Sequence, residues 1–204
     1  MTEEIEDRTK MLIAMKGHPG TGKSTLAQTL ASLLKIPLID KDDVKDCAAA
    51  LAAASTAALV NDLSYDVVYR LASTQLRLGL SVIVDTPLSR RSHFCHLTDV
   101  ASTAGVRLLI VECKPSDPTE WRRRLESRGA DDRTNWHKPS TWREIEMLLE
   151  SYGGCTEFDV GDVPRLVVDT TAPVSFDEIV STVIDFIVSN GGSFTAPSAA
   201  AAER

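Results

Sequence analysis

Residues 17–25 combine residue types and spacing that bind phosphate groups. They read Gly17-His18-Pro19-Gly20-Thr21-Gly22-Lys23-Ser24-Thr25, which contains the complete pattern G-x-x-x-x-G-K-S. The glycines allow successive backbone N–H groups to turn inward and surround phosphate oxygens. Lys23 is predicted to reach the β- and γ-phosphates of a nucleotide, and the Ser24 hydroxyl is predicted to bind Mg²⁺. The pattern therefore predicts ATP and Mg²⁺ as ligands.

The segments on either side of this loop support the interpretation. Met11–Met15 is a short apolar run of the kind that forms buried parallel strands. After the loop, leucines recur at helical spacing, at Leu26, Leu30, Leu33 and Leu34. The N-terminus of such a helix adds the positive end of its dipole to a phosphate site. A glycine-rich turn without a ligand is the alternative, and the order strand, loop, helix disfavours it.

Acidic residues follow two further apolar runs. Pro37–Ile39 is followed by Asp40, Asp42 and Asp43, and Ser81–Val84 is followed by Asp85. Ligands of parallel sheets bind outside the carboxyl ends of the strands. We therefore expect all four carboxylates to lie near the phosphate loop.

These carboxylates have both catalytic and structural interpretations. Asp42 or Asp43 could accept or align the proton of an acceptor hydroxyl, and either could instead cap the helix that follows. Asp85 could hold Mg²⁺ through water, as an acid at this place does in phosphate-loop proteins. The alternative for Asp85 is an Asx turn ahead of Pro87.

Arginines could supply positive charge during phosphoryl transfer. Arg124 and Arg128 are four residues apart on a predicted helix, Pro118–Arg128, and therefore share one face. They lie beside a polar segment, and together residues 118–156 suit a mobile lid that carries arginines onto the phosphates. Arg90 and Arg91 begin another predicted helix and could bind an anionic substrate, or they could be solvated.

Strands and helices alternate along the chain, which positions these residues on one sheet. Further strands are predicted at Arg107–Glu112 and Pro164–Asp169, and helices at the stripe of Leu63, Val67 and Leu71 and over Ile179–Val188. An alanine-rich stretch at 48–58 is predicted to be part helix and part loop. This alternation predicts an α/β fold, a parallel sheet with helices on both faces. We expect a single domain over residues 1–190 and a disordered tail over 191–204.

Composition narrows the function classes. The 204 residues carry a formal charge of -7, which argues against sequence-independent nucleic-acid binding. The four cysteines form no C-x-x-C pair and are predicted to be free thiols. His93, Cys95 and His96 match no zinc spacing. The acidic N-terminus resembles no signal peptide, and no apolar run reaches membrane-spanning length, so we expect a cytoplasmic protein without membrane contact.

The motifs together resemble a family of small kinases. The phosphate loop, Leu38-Ile39-Asp40-Lys41-Asp42-Asp43, Val82-Ile83-Val84-Asp85-Thr86 and Arg124-Leu125-Glu126-Ser127-Arg128 occur in that order. This order resembles the AAA-type small P-loop kinases that group with polynucleotide 5′-hydroxyl kinases, zeta toxins, chloramphenicol phosphotransferase and gluconate kinase. The resemblance covers about residues 10–190. It implies a P-loop three-layer sandwich with a five-stranded parallel sheet of order 2-3-1-4-5 and a lid.

The resemblance also implies roles for particular residues. The catalytic base is implied to be Asp42, with Lys45 at a position where a basic residue contacts the substrate. The lid arginines of the family match Arg124 and Arg128. The segment Asp169-Thr170-Thr171 resembles the loop beside the adenine. The stretches 48–58 and 136–142 match no element of the family, although the Trp, His and Lys residues of 136–142 suggest a lid or acceptor contact.

The leading hypothesis is an ATP-dependent kinase acting on a hydroxyl of a small molecule or nucleotide. A polynucleotide 5′-hydroxyl kinase is the second hypothesis, and the acidic net charge argues against it. A nucleotide switch or regulatory ATPase is the third. Asp85-Thr86-Pro87-Leu88 lacks the glycine of a GTPase switch, and the sequence contains no Asn-Lys-x-Asp motif.

Overall fold

The predicted strands form one parallel sheet. The computed structural model describes residues 9–48, 50, 55–131, 138–153 and 156–192, without the side chains of 128–131. The strands are β1 (Met11–Lys16), β2 (Leu38–Asp40), β3 (Val82–Asp85), β4 (Arg107–Cys113) and β5 (Arg165–Val168). Their order is β2-β3-β1-β4-β5, and every neighbouring pair is parallel. The predicted order 2-3-1-4-5 is therefore confirmed.

Helices connect these strands and cover both faces of the sheet. They are α1 (Lys23–Leu34), α2 (Lys41–Cys47), α3 (Ala57–Arg77), α4 (Arg91–Ala104), α5 (Pro118–Asp131), α6 (Trp142–Ser151) and α7 (Phe176–Ser189). None of the helices in the described ranges is long and apolar enough to cross a membrane.

The central strand β1 shows how the core is divided. All six of its residues are buried, as expected of a strand covered on both faces. Because successive side chains point to opposite faces, Met11, Ile13 and Met15 pack with α1 and α7. Leu12 and Ala14 pack with α3 and α4 on the other face. The sheet is thus held between two apolar layers, which fixes the strand ends that carry the polar residues.

The buried face of α3 differs from the predicted one. Leu63 and Leu71 of the predicted stripe are each 43% exposed. The buried face is instead formed by Val60, Ser64, Tyr65, Val68, Ala72 and Leu76. This face includes serine and alanine, which periodicity of large apolar residues does not detect. The prediction for this helix was right in type and wrong in orientation.

The region predicted to be an irregular lid contains regular structure in its described part. Helix α5 extends to Asp131, and α6 begins with a capping box formed by Thr141 and Glu144. Ile145 of α6 is fully buried. Residues 132–137 and 154–155 lie outside the described residues, as do Ala49, residues 51–54 of the alanine-rich stretch, and residues 193–204 of the predicted tail.

A buried ion-pair network joins the carboxyl ends of β1 and β4 to the first residue of β5. Glu112 of β4 is 4% exposed, and its carboxylate lies 2.6 Å from Lys16 Nζ of β1. The same carboxylate pairs with Arg165 of β5. Arg165 also lies 3.7 Å from the exposed Glu157. The network ties three strands together directly beneath the phosphate loop.

Removing the carboxylate at the centre of this network is expected to destabilise the protein. Glu112→Ala would leave the buried Lys16 ammonium without its anion, and such a loss costs about 3–5 kcal/mol. The matched control is Glu126→Ala, whose exposed pair with Arg122 lies outside the network and is worth at most about 1 kcal/mol. Urea denaturation of both variants measures the difference. Equal, small losses in the free energy of unfolding would contradict a stabilising role for the network.

Candidate active site

The phosphate loop is shaped by its glycines. Gly20 and Gly22 have φ values of +81° and +82°, in the left-handed region that favours glycine. A Cβ on Gly17 would lie 2.8 Å from the carbonyl oxygen of Cys113 in β4. Hydrogen bonds from Gly17 N–H to the carbonyl of Pro87 and from Thr21 to the carbonyl of His18 hold the loop. The loop therefore packs against both neighbouring strands of β1.

Helix α1 begins inside the loop and has its first-turn amides available for an anion. It starts at Lys23, and no side chain caps it. Uncapped N–H groups and the helix dipole together favour phosphate oxygens at this point. The Lys23 ammonium pairs with the Asp85 carboxylate at the end of β3. The motif lysine thus lies at the same edge of the sheet as the predicted metal-binding acid.

Asp85 and Ser24 fit the requirements of a Mg²⁺ site. Asp85 is 1% exposed, and its position opposite Met15 in the sheet places it beside the loop. Its Oδ1 faces Lys23, while its buried Oδ2 has no hydrogen-bond partner among the described residues. Ser24 lines the same cleft. One carboxylate and one hydroxyl suit Mg²⁺, which takes its other ligands from phosphates and water.

The helix after β2 is capped by Asp40, not by the acids predicted for that role. The Oδ1 atom of Asp40 accepts a hydrogen bond of 2.8 Å from the N–H of Asp42. Asp42 and Asp43 lie in the first turn of α2, so neither is its N-cap. Burial, and next the nearby Asp85 carboxylate, raise the pKa of Asp40 to about 6. Asp40 therefore holds the backbone that presents Asp42.

Asp42 lies where two clefts meet. The loop cleft is lined by the whole motif Gly17–Thr25 and also by Asp40, Asp42, Asp85, Pro87 and Lys138. A second cleft of about 290 Å³, the α2–α4 cleft, lies between α2, α3, the start of α4 and α6 and shares Asp42 and Lys138 with the first. Asp43 is exposed and lines neither. The geometry therefore favours Asp42 over Asp43 as the residue that faces both clefts.

Asp42 forms ion pairs with two lysines for which the sequence predicts no particular role. Lys138 Nζ lies 3.1 Å from Asp42 Oδ2, and Lys41 Nζ lies 3.4 Å from Asp42 Oδ1. Lys41 is 4% exposed, and its ammonium lies 5.4 Å from the centre of the Tyr65 ring. In a cation–π contact of this kind, the ring attracts the lysine ammonium. No local pattern marks Lys41, whereas Lys138 belongs to the segment 136–142 whose composition suggested an acceptor contact.

The predicted lid arginine Arg124 lies on the other side of the loop. Its Nη1 donates a hydrogen bond of 2.8 Å to the carbonyl of Thr170, and its Nε lies 2.7 Å from Glu120. It lines a third cleft of about 320 Å³, the β5 cleft, with Gly22, Thr25, Leu26, Thr170, Ala172, Val174, Phe176 and Ile179. This is the side where the resemblance placed the adenine. The side chain of Arg128 lies outside the described residues.

Thr170 faces this β5 cleft, while the neighbouring Asp169 joins the segment after β5 to the segment after β4. The Asp169 carboxylate accepts hydrogen bonds from the N–H and hydroxyl groups of both Ser116 and Thr171. Burial alone would raise the pKa of Asp169, but these hydrogen bonds hold it below its ordinary value. Among the described residues, Thr170 lines the cleft and Asp169 does not.

Aromatic residues of α5 and α6 pack on the phosphate loop. Trp121 Nε1 donates a hydrogen bond of 2.9 Å to the carbonyl of Pro19. His18 stacks between Trp121 and Tyr152, with ring centroids 6.3 Å and 6.0 Å away. Burial, and next the charge of Lys16, lower the pKa of His18, so its ring is neutral at physiological pH. Trp142 contacts Trp121 edge to face.

The basic residues predicted to bind a substrate separate into two places. Lys45 and Arg90 line the α2–α4 cleft. Arg91 lines an adjoining cleft of about 470 Å³, the outer cleft, which shares Arg90, Ser151 and Tyr152 with the α2–α4 cleft.

The cysteines with described placement are free thiols, as predicted. Cys47 and Cys95 are exposed and Cys113 is buried, while Cys155 lies outside the described residues.

The phosphate loop between β1 and α1, the strand order and the acidic end of β3 define the class of P-loop kinases and related nucleotide-binding proteins. Residues 12–148 match the AAA_33 family model, described as an AAA domain. This match covers more than half of the 204 residues. The protein therefore belongs to the AAA_33 family. A comparison with curated proteins found no significant match.

Solved structures support the same class. A protein from Chloroflexus aurantiacus j-10-fl, provisionally assigned as a kinase, is 26% identical, and the match covers 88% of this chain and 99% of that chain with a TM-score of 0.69. The Mycobacterium tuberculosis APS kinase CysC in complex with AMPPNP and APS is 20% identical over 89% of this chain and 98% of that one, with a TM-score of 0.58. Chaetomium thermophilum Kti12 in complex with ADP-AlF3 is 16% identical over 89% and 100%, with a TM-score of 0.65. The last two structures are only 20% and 16% identical in sequence, so their similarity to this chain shows the fold alone.

The charge of Asp40 is expected to make stability depend on pH. Its folded-state pKa of about 6 lies above the ordinary 3.8, so the folded protein binds this proton more tightly than the unfolded chain. Ionisation therefore lowers stability as the pH rises from about 4 through 6. Asp40→Asn removes the charge and keeps an N-cap acceptor. We expect it to raise the free energy of unfolding by about 1–3 kcal/mol at pH 8, after discounting for partial solvent exposure, and to change it little at pH 4.

The measurement is urea denaturation in EDTA at both pH values. Asp99→Asn, which removes an exposed carboxylate of α4, is the matched control and should show no such pH-dependent gain. Equal destabilisation by Asp40→Asn at both pH values would contradict the assigned charge repulsion.

Proposed function

We propose that this protein is an ATP-dependent phosphotransferase that moves the γ-phosphate of ATP to a hydroxyl group of a small molecule. The observation that carries the proposal is the position of Asp42. This carboxylate lines the phosphate-loop cleft and the α2–α4 cleft at once. Phosphoryl transfer needs a phosphate cradle and an acceptor-orienting group on opposite sides of the transferred phosphate. These two clefts supply that arrangement.

The phosphate loop would hold the nucleotide phosphates. The amides at the start of α1 and the Lys23 ammonium would bind the β- and γ-phosphates, with Lys23 released from Asp85. Ser24 and Asp85 would hold Mg²⁺, which when bound neutralises charge on the phosphate oxygens. The adenine and ribose would lie in the β5 cleft against Thr170 and Arg124. Arg124 is thereby assigned to nucleotide binding in place of the transition-state role predicted for it.

Asp42 would accept the proton of the acceptor hydroxyl or align that hydroxyl for in-line attack. Two ammonium groups, on Lys41 and Lys138, lie beside this carboxylate and would hold it in place. Lys138 also lines the loop cleft, where its charge would stabilise the phosphoryl group during transfer. A cation fixed in a partly enclosed site is worth more than one in open solvent.

The size and charge of the site support a small acceptor over a polynucleotide. The α2–α4 cleft has a volume of about 290 Å³, which suits a metabolite-sized ligand. The net charge of -7 opposes the extended phosphate contacts of a nucleic acid. A small hydroxyl compound is therefore the acceptor that the geometry favours.

The proposal predicts different outcomes for two neighbouring carboxylates. Asp42→Asn should lower kcat for phosphoryl transfer by about 10²–10⁴-fold, the usual loss when a general base is removed. ATP affinity, measured by calorimetry, should change little because Asp42 lies on the acceptor side. Asp43→Asn is the matched control and should retain turnover, since Asp43 is exposed. Turnover is followed as ADP release in a mixture of small hydroxyl compounds.

Lys23→Ala tests the nucleotide half of the proposal. It should abolish turnover in a folded protein because the positive charge at the β- and γ-phosphates is lost. Full turnover by Lys23→Ala, or full turnover by Asp42→Asn together with a lowered melting temperature, would exclude the assigned roles.

A further inference from the structure

The α2–α4 cleft is positively charged although the whole chain is acidic. Four cationic side chains line it, Lys41, Lys45, Arg90 and Lys138, and Asp42 is the carboxylate among the described lining residues. Its lining therefore carries a formal charge of +3, against -7 for the chain. A charged cleft with low-dielectric walls concentrates ligands of opposite sign. The local excess of cations is thus a property of this cleft and not of the protein surface in general.

The catalytic carboxylate does not account for these charges. Lys41 and Lys138 both pair with Asp42, so one carboxylate already serves two ammonium groups. Arg90, which lines the same cleft, forms no ion pair with a carboxylate of the described residues. Its charge thus exceeds what orienting a hydroxyl requires.

The remaining wall of the cleft is neutral. His93 stacks on Tyr65 with ring centroids 3.6 Å apart, and its Nδ1 lies 2.9 Å from the hydroxyl of Tyr69. Burial, and next the charge of Arg90, lower the pKa of His93 to about 4. His93 therefore adds no charge at physiological pH, and the packed rings form a fixed surface beside Arg90.

The two ends of the cleft are chemically different. Asp42 and Lys138 lie where it opens into the loop cleft, and Arg90 lies where it opens into the outer cleft. A ligand with its hydroxyl at Asp42 would therefore extend towards Arg90. An anionic group there would pair with the exposed Arg90 guanidinium, whereas a neutral group would gain no such contact.

We propose that the acceptor is an anionic small molecule, a hydroxyl compound that carries a carboxylate or phosphoryl group, and that Arg90 binds that group. The inference rests on the proposed phosphotransferase function and specifies its substrate class. Arginine suits the role because its planar guanidinium pairs with both kinds of oxyanion through two hydrogen bonds. The outer cleft, lined also by Arg91, leaves room for the rest of such a molecule.

The test compares acceptors in matched pairs that differ in charge. ADP release is measured with gluconate and glucose, glycerate and glycerol, ribose 5-phosphate and ribose, and shikimate and its methyl ester. We expect the anionic member of any accepted pair to have at least about a tenfold higher kcat/KM, since losing a close charge pair costs more than 1.4 kcal/mol. Equal or better use of the neutral members would overturn the proposal.

Variants of Arg90 test the assigned contact. Arg90→Gln should raise KM for the anionic acceptor by about 10–100-fold while kcat stays within a few-fold and KM for ATP is unchanged. Arg90→Lys should recover part of the loss. Arg70→Gln, which removes an exposed arginine of α3, is the control and should behave as the unmodified protein. An unchanged KM in Arg90→Gln would overturn the proposal.

A binding assay decides the case in which no pair is turned over. Protein saturated with AMPPNP and Mg²⁺, so that the phosphate loop is filled, is heated with each compound. A rise in melting temperature with anionic members alone, lost in Arg90→Gln, supports the proposal, and no rise with any compound overturns it. ATP binding measured separately distinguishes the failures. If the protein phosphorylates neutral acceptors, the proposed phosphotransferase function stands and the anionic substrate class is wrong. If it does not bind ATP, both the function and the substrate class are wrong.

Discussion

Asp85 is a buried carboxylate, and its need for a cation organises the sheet edge around it. In this structure Lys23 supplies the cation. A buried acid that loses its partner costs about 3–5 kcal/mol, so Lys23 can move to nucleotide phosphates only if another cation takes its place at Asp85. In the proposed reaction, Mg²⁺ carried by ATP would meet that requirement. The same carboxylate also raises the pKa of Asp40. Asp40 is the N-cap of the helix that carries Asp42, so the charge of Asp85 also affects that helix.

The clefts along this edge divide the proposed reaction into parts. The β5 cleft, with Arg124 and Thr170, lies on one side of the phosphate loop, and the α2–α4 cleft lies on the other. Asp42 and Lys138 lie at the boundary between the loop cleft and the α2–α4 cleft. The aromatic contacts of Trp121 and Tyr152 with the loop connect α5 and α6 to it. In the proposed reaction, the nucleotide, the transferred phosphate and the acceptor would therefore each face different elements of the fold.

Local sequence patterns predicted the parts of this arrangement that depend on local geometry. The phosphate loop is recognisable because its glycines need left-handed backbone, and Asp85 because it ends an apolar strand. The N-cap was misplaced by two or three residues, since capping ability does not separate Asp40 from Asp42 or Asp43. The side of the loop that receives Arg124 depends on how α5 packs against β5. Lys138 meets Asp42 across almost a hundred residues, a contact that periodicity cannot predict. For α3, the buried serine and alanine positions were invisible to a pattern of large apolar residues.

The central claim is that one cleft passes the γ-phosphate from loop-bound ATP to a hydroxyl held at Asp42. Following that phosphate tests it most directly. The protein is incubated with ATP radiolabelled in the γ-phosphate and a cell extract containing small molecules and RNA, and the labelled products are separated by chromatography. Label in a small organic molecule, formed by the unmodified protein and not by Asp42→Asn, is the expected result. Label recovered only as inorganic phosphate or in RNA, at the same rate in both proteins, would contradict the claim.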